Sequence, residues 1–168
     1  HFDKRNASGG FALLQNASGR TILNAATGQD LQFRRNNVDI ATFETNGDLT
    51  LEHNLTVNNH IDIGHDSARL TSITQTEIAS FSSSIYTGGK FIITAHDHTA
   101  GSRQISELLV IRDSAAGTAV ATEYGQIYTS GSLATYDVDI NSGNVRVLAT
   151  SASTNATTYQ VAETLMRE

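Results

Sequence analysis

No cysteine, proline or tryptophan occurs in this chain, and aromatic residues amount to only 7% and charged residues to only 17%. Without cysteine there are no disulfides and no thiolate metal sites. Without proline, no turn relies on a fixed φ. Charged residues fall below the roughly 25% usual in soluble domains. The net charge of −6 comes with no basic run carrying interleaved aromatics, so nucleic acid is not expected as a partner. No apolar stretch approaches the ~20 residues of a membrane-spanning helix, and no membrane insertion is expected. No signal peptide is visible, and the chain starts at His1 instead of Met. It is read as a fragment or a processed product, with any targeting segment outside the sequence.

Serine, threonine, asparagine, glycine and alanine take the place of the missing charge. These residues suit strands and turns with hydroxyl-rich surfaces, and the leucine, glutamate, lysine and arginine that favour helices are sparse. The 168 residues are enough for one domain, or one domain with an extension. The expected fold class is all-β.

In the N-terminal third, turn signals recur every nine residues at Gly10, Gly19, Gly28, Asn37 and Asn46-Gly47. Short apolar runs lie between them: Phe11–Leu14, Ile22-Leu23, Leu31–Phe33 and Val38–Phe43. Leu49–Leu51, Leu55–Val57 and Ile61–Ile63 follow, alternating apolar and polar as half-buried strands do. Each run has only two or three apolar side chains, too few to offset chain entropy in a single copy. Three copies wound into an intertwined trimeric β-shaft over residues 1–66 solve this, because thin apolar faces meet on one axis and every edge is paired. A monomeric β-repeat and a flexible arm are the alternatives.

Residues 65–84 form a connector. Leu70, Ile73, Glu77 and Phe81 fall near helical spacing, but serine and threonine dominate, and the preferred reading is a strand over Thr74–Phe81. Beyond it, strands are expected at Lys90–Ala95, Gln104–Asp113, Ala119–Thr129, Leu133–Ile140, Asn144–Thr150 and Thr157–Met166. Asn141-Ser142-Gly143-Asn144 is a hairpin loop, and Ala115–Gly117 and Ser130–Ser132 punctuate their neighbours. Strands at this density point to an antiparallel β-sandwich over residues 67–168.

Phe43–Gly64, FETNGDLTLEHNLTVNNHIDIG, resembles a pattern common in tail-fibre and baseplate-associated proteins of tailed phages. A second resemblance covers about residues 74–166. Its motifs are Gly89-Lys90-Phe91-Ile92-Ile93, Ser106–Asp113, Thr122-Glu123-Tyr124-Gly125, Tyr136-Asp137 with Asp139-Ile140, and Gly143-Asn144-Val145-Arg146. In order and spacing they are similar to a β-sandwich module of virion structural proteins from T4-like phages of marine cyanobacteria. The resemblance implies a virion structural role in a fibre or tail-associated appendage, and it brings no catalytic residues. The expected assembly is a homotrimer that contacts other virion proteins and a host-surface glycan, with no cofactor. A purely architectural collar, decoration or baseplate docking module is the alternative.

Candidate chemistry is thin. His96 and His98, two apart, share one side of a strand, and three such pairs on a trimer axis would offer six imidazoles to a metal; the competing reading is a polar loop. His53, His60 and His65 show no ligand spacing. A glycan depolymerase needs two carboxylates in one groove. Glu77, Glu107, Asp113, Glu123, Asp137 and Asp139 are available, but a solvated strand face accounts for Asp137 and Asp139. Arg112 beside Asp113, and Arg146 opposite Asp137 and Asp139, are expected in ion pairs. No serine lies in a nucleophile elbow. The expectation is that the chain is not an enzyme. Its contact sites are expected in the loops Asp97–Arg103, Asp113–Thr118 and Ser130–Ser132, with Tyr86, Tyr124, Tyr128 and Tyr136 as residues that stack on sugars or fill the core.

Overall fold

The computed structural model describes residues 13–15 and 17–168, and all of its regular structure is β-strand. Gly10 and the start of the first apolar run, Phe11-Ala12, lie outside the described residues. Contacts divide the chain into two units, residues 1–53 and residues 54–168.

In the first unit, β1 (Leu13–Gln15) pairs antiparallel with β2 (Thr21–Leu23). A separate antiparallel sheet has the order β3 (Leu31–Arg35), β4 (Val38–Phe43), β5 (Leu49–Leu51). The nine-residue punctuation becomes backbone geometry here. Gly19, Gly28, Asn37 and Gly47 all have positive φ. Asn36 and Asn37, at 52° and 62°, form the two-residue connection between β3 and β4, the conformation that matches strand twist.

The second unit holds two sheets. The larger has the order β11-β10-β9-β14-β7-β6, made of β6 (Leu55–Val57), β7 (Ile61–Leu70), β9 (Tyr86–Asp97), β10 (Arg103–Asp113), β11 (Thr118–Tyr128) and β14 (Thr157–Arg167). The smaller has the order β12 (Ala134–Asn141), β13 (Asn144–Ser151), β8 (Thr76–Ser82). Every pairing is antiparallel. The strand expected over Thr74–Phe81 is β8, and β7 runs through residue 66 to Leu70, with a turn over residues 71–75 leading from it into β8. The β12–β13 hairpin turns on Ser142 and Gly143, at φ 51° and 82°.

The two sheets pack through one core. The larger contributes Phe91, Ile93, Leu108, Val110, Tyr159, Val161 and Leu165, the smaller Ile78, Phe81, Val138, Val145 and Val147. Phe81 and Phe91 stack across it with centroids 5.9 Å apart. Strand β9 lies between β10 and β14, and a Cβ on Gly88 would meet the Val110 carbonyl oxygen at 2.3 Å, so glycine alone allows this approach.

One part of the expected pattern is reversed. At Ile61-Asp62-Ile63 the aspartate is buried, 2% exposed, and Ile63 is 48% exposed. Similarly, Gln104 and Ser106 face the core while Ile105, Leu109 and Ile111 face outward. The outer face of the larger sheet is therefore rich in isoleucine, leucine and valine.

Candidate functional site

At one end of the larger sheet, the β9–β10 turn and the β11–β12 connection lie side by side. Arg103 N donates to Thr129 Oγ1 at 3.0 Å, and Thr129 N donates to the Arg103 carbonyl at 2.9 Å. Gln104, buried among them, completes the join. Its Oε1 accepts from Leu133 N at 2.6 Å and Ala134 N at 3.3 Å, and its Nε2 donates to Ser106 Oγ at 3.1 Å. Two of the three expected contact loops, Asp97–Arg103 and Ser130–Ser132, thus share one end. Asp113–Thr118 joins the other ends of β10 and β11.

Asp97 holds the first loop in shape. Buried at 4% exposure, it accepts from Thr99 N at 2.8 Å and Ala100 N at 2.9 Å through Oδ1, and from Asn155 Nδ2 at 2.8 Å through Oδ2. These donors, Asn155 first, hold its carboxyl below the usual aspartate range. An Asp97→Ala variant leaves Asn155 and two backbone donors without this acceptor. We expect it to cost about 1–2 kcal/mol in a urea titration and to raise hydrogen exchange in residues 98–102; unchanged exchange there would rule out the stapling role.

A groove of about 470 Å³ opens beside these loops on the outer face. Ile105 and Ile127 give it an apolar part, Arg103, His96, His98, Thr158 and Gln160 a polar one, and Tyr128 also lines it. His96 and His98 lie on the same side as expected, with ring centroids 4.3 Å apart, and His98 Nε2 is 2.8 Å from Thr158 Oγ1. Partial burial, the Arg103 guanidinium and the neighbouring His98 hold the His96 imidazole below its ordinary value. Among the described residues, Arg103 makes no ion pair, and no third histidine or carboxylate joins the histidine pair as a metal-ligand cluster. The lining combines apolar side chains with exposed hydrogen-bond donors, the mixture that ligand sites use.

The acidic residues are dispersed over several partners. Asp139 is held by Arg146 through Nε at 2.8 Å and Nη2 at 2.5 Å, and Glu77 lies 3.8 Å from the same guanidinium. Glu107 pairs with Lys90 at 3.2 Å, Glu123 accepts from Gln126, and Asp137 accepts from Gln75. The expected Arg112 pairing is corrected. Arg112 bonds Glu168 and donates from Nε to the Tyr86 carbonyl, while Asp113 accepts from Ala115 N and Ala116 N within its own turn. Tyr86 and Tyr136 pack against the core, whereas Tyr124 and Tyr128 are exposed. Gln104 and the buried pair Asp62 and Glu163 went unremarked in the sequence; their only signal was a polar residue at an alternation position that turned out to face inward.

No family model and no curated protein sequence matches the chain. Solved structures that resemble it in part include three tailspike proteins. The tailspike of Acinetobacter baumannii phage AM24 has 9% identity and a TM-score of 0.37, with 63% of this chain and 26% of that one covered. The tailspike of Acinetobacter phage vB_ApiP_P1 has 20% identity and a TM-score of 0.36, covering 68% and 24%. The tailspike of Acinetobacter baumannii bacteriophage Fri1, a capsular polysaccharide depolymerase, has 16% identity and a TM-score of 0.38, covering 68% and 21%. The chain spans about a quarter of the length of these tailspikes. The expectation that the chain is not an enzyme is corrected here, since a structure that resembles it is that of a depolymerase.

Proposed function

We propose that the chain is a segment of a phage tail appendage on the virion, and that it holds a host-surface glycan in the groove beside the Asp97–Arg103 loop. The observation that carries this reading is the groove itself: Ile127 and Ile105 form an apolar patch beside Arg103, His98 and Thr158. The appendage is a homotrimer, with the N-terminal residues as an intertwined shaft and the C-terminal residues as a sandwich that also meets other virion proteins. The sequence motifs that resemble virion proteins of T4-like marine phages support this assignment. Three grooves on one assembly bind a repeating glycan with avidity far above that of a single groove.

A panel of bacterial surface polysaccharides, immobilised and probed with the chain, tests the proposal. Retention is expected on at least one of them. An Arg103→Ala variant should lose about tenfold in affinity, the effect of removing one charged donor. Equal binding by the variant, or no retention on any surface polysaccharide, would remove the groove from the account.

A further inference from the structure

The outer face of the larger sheet carries apolar residues where a lone sandwich would present polar ones. Ile63 of β7, Met166 of β14, Leu109 and Ile111 of β10 and Val120 of β11 all point outward, with Ile111 and Val120 each 58% exposed. Leu55 and Val57 continue the band on β6. Strand polarity normally places such side chains against a core. Here the polar members of the pattern, Asp62, Gln104, Ser106 and Glu163, face inward instead. A cleft of about 490 Å³ runs through the band, lined by Leu109, Ile111, Val120 and Met166.

We infer that this face is where copies of this chain meet in the homotrimer, an inference that rests on the homotrimer reading above. Two observations select a copy of the chain as the occupant. The first is size: the five long strands β11, β10, β9, β14 and β7, four spacings of ~4.8 Å with ten residues at ~3.3 Å, frame a face of ~630 Å², comparable with the ~800 Å² each partner contributes to a standard interface. The second is charge. The chain carries a net −6, yet the middle of this face is neutral, because Lys90 and Glu107 pair with each other at 3.2 Å beside Tyr124. A neutral apolar face meets its own copy without repulsion, and three of them close around one axis. Strand β11 adds a reason for closure. It is an eleven-residue edge of the sheet, and its unpaired backbone is covered when a neighbouring copy lies against it. The polar end of the same face, with Arg103 and His98, stays open as the groove.

Sedimentation equilibrium of the whole chain at tens of micromolar, beside a Leu109→Glu/Ile111→Glu variant, tests the inference. The wild type is expected at three times the chain mass, and the variant, held by the shaft alone, is expected to dissociate at a concentration at least tenfold higher, both with the same far-ultraviolet dichroism. A folded variant that dissociates at the same concentration as the wild type overturns this interface and leaves the homotrimer to the shaft or some other surface. A monomeric wild type overturns the homotrimer itself, and this interface with it. Because the chain has no cysteine, Val120→Cys supplies a second readout on an unperturbed face. Its thiol should react with a bulky maleimide at least tenfold more slowly than that of Ser130→Cys in the β11–β12 connection. Equal rates would overturn the inference whatever the behaviour of the glutamate variant.

Discussion

Replacing Phe91 by alanine is expected to destabilise the chain by about 3–5 kcal/mol, the range for a fully buried phenylalanine. Phe91 is 0% exposed, at the centre of β9 between β10 and β14. It stacks on Phe81, which in turn meets Tyr86 edge-on at 6.1 Å. The two sheets touch through these rings, so truncation removes contacts on both sides of the core and leaves a cavity that fixed strands cannot close. The corresponding change at Ile73, exposed in the turn between β7 and β8, should stay within about 0.5 kcal/mol. Urea titrations of the two variants check the contrast, and a Phe91→Ala cost below about 1 kcal/mol would show that the sheets are held together elsewhere.

A Glu163→Gln variant should be more stable than the wild type at pH 8 and indistinguishable from it at pH 4.5. Glu163 is 6% exposed on the inner face of β14, and its Oε2 has no hydrogen-bond partner among the described residues. Burial, followed by the negative charges of Asp66 and Asp62, raises its carboxyl from the ordinary 4.5 to about 7. The other groups at this end do not relieve it. Arg167 and Tyr86 are engaged with Asp62, whose burial they outweigh, so that Asp62 stays below its usual range, and Glu77 faces Asp66 from β8. The folded pKa lies above the unfolded one. The folded state therefore keeps its proton as the unfolded chain loses it, and stability declines from about pH 4.5 until the folded carboxyl has ionised above pH 7. A shift of this size corresponds to about 3 kcal/mol at most. Glutamine keeps the shape and removes the charge. Denaturant midpoints at pH 4.5 and pH 8, at one protein concentration, measure the effect; a gain equal at both pH values would mean that ionisation is not its source.

Strand content was legible in the sequence because apolar alternation and turn chemistry are local. The run expected at Gln104–Asp113 became β10 with one residue added, and the Asn-Ser-Gly-Asn loop became a two-residue hairpin. What alternation does not encode is which face turns inward. Ile61-Asp62-Ile63 shows the same pattern either way, and only the pairing of β7 with β14, about a hundred residues apart, fixes Asp62 inside. The groove was hidden for a related reason. Its parts come from β9, β10, β11 and β14, and the sequence named the loops and the histidine pair without saying which of them lie at the same end. Arg103 and Gln104 carry no motif at all; their roles arise from the register between β10 and the β11–β12 connection.

The strand order β11-β10-β9-β14-β7-β6 has a consequence for synthesis. The middle of the larger sheet is made last. As the chain leaves the ribosome, β6 and β7 on one side and β9, β10 and β11 on the other are two half-sheets, each with an open edge awaiting the strand between them. Strand β7 is made nearly ninety residues before the partner that covers it, Thr157–Arg167, and during that interval both half-sheets expose backbone donors and acceptors that any neighbouring nascent chain can pair with. Crowding of copies on a single message, hazardous for most sheets with open edges, brings together the chains that the apolar outer face would join.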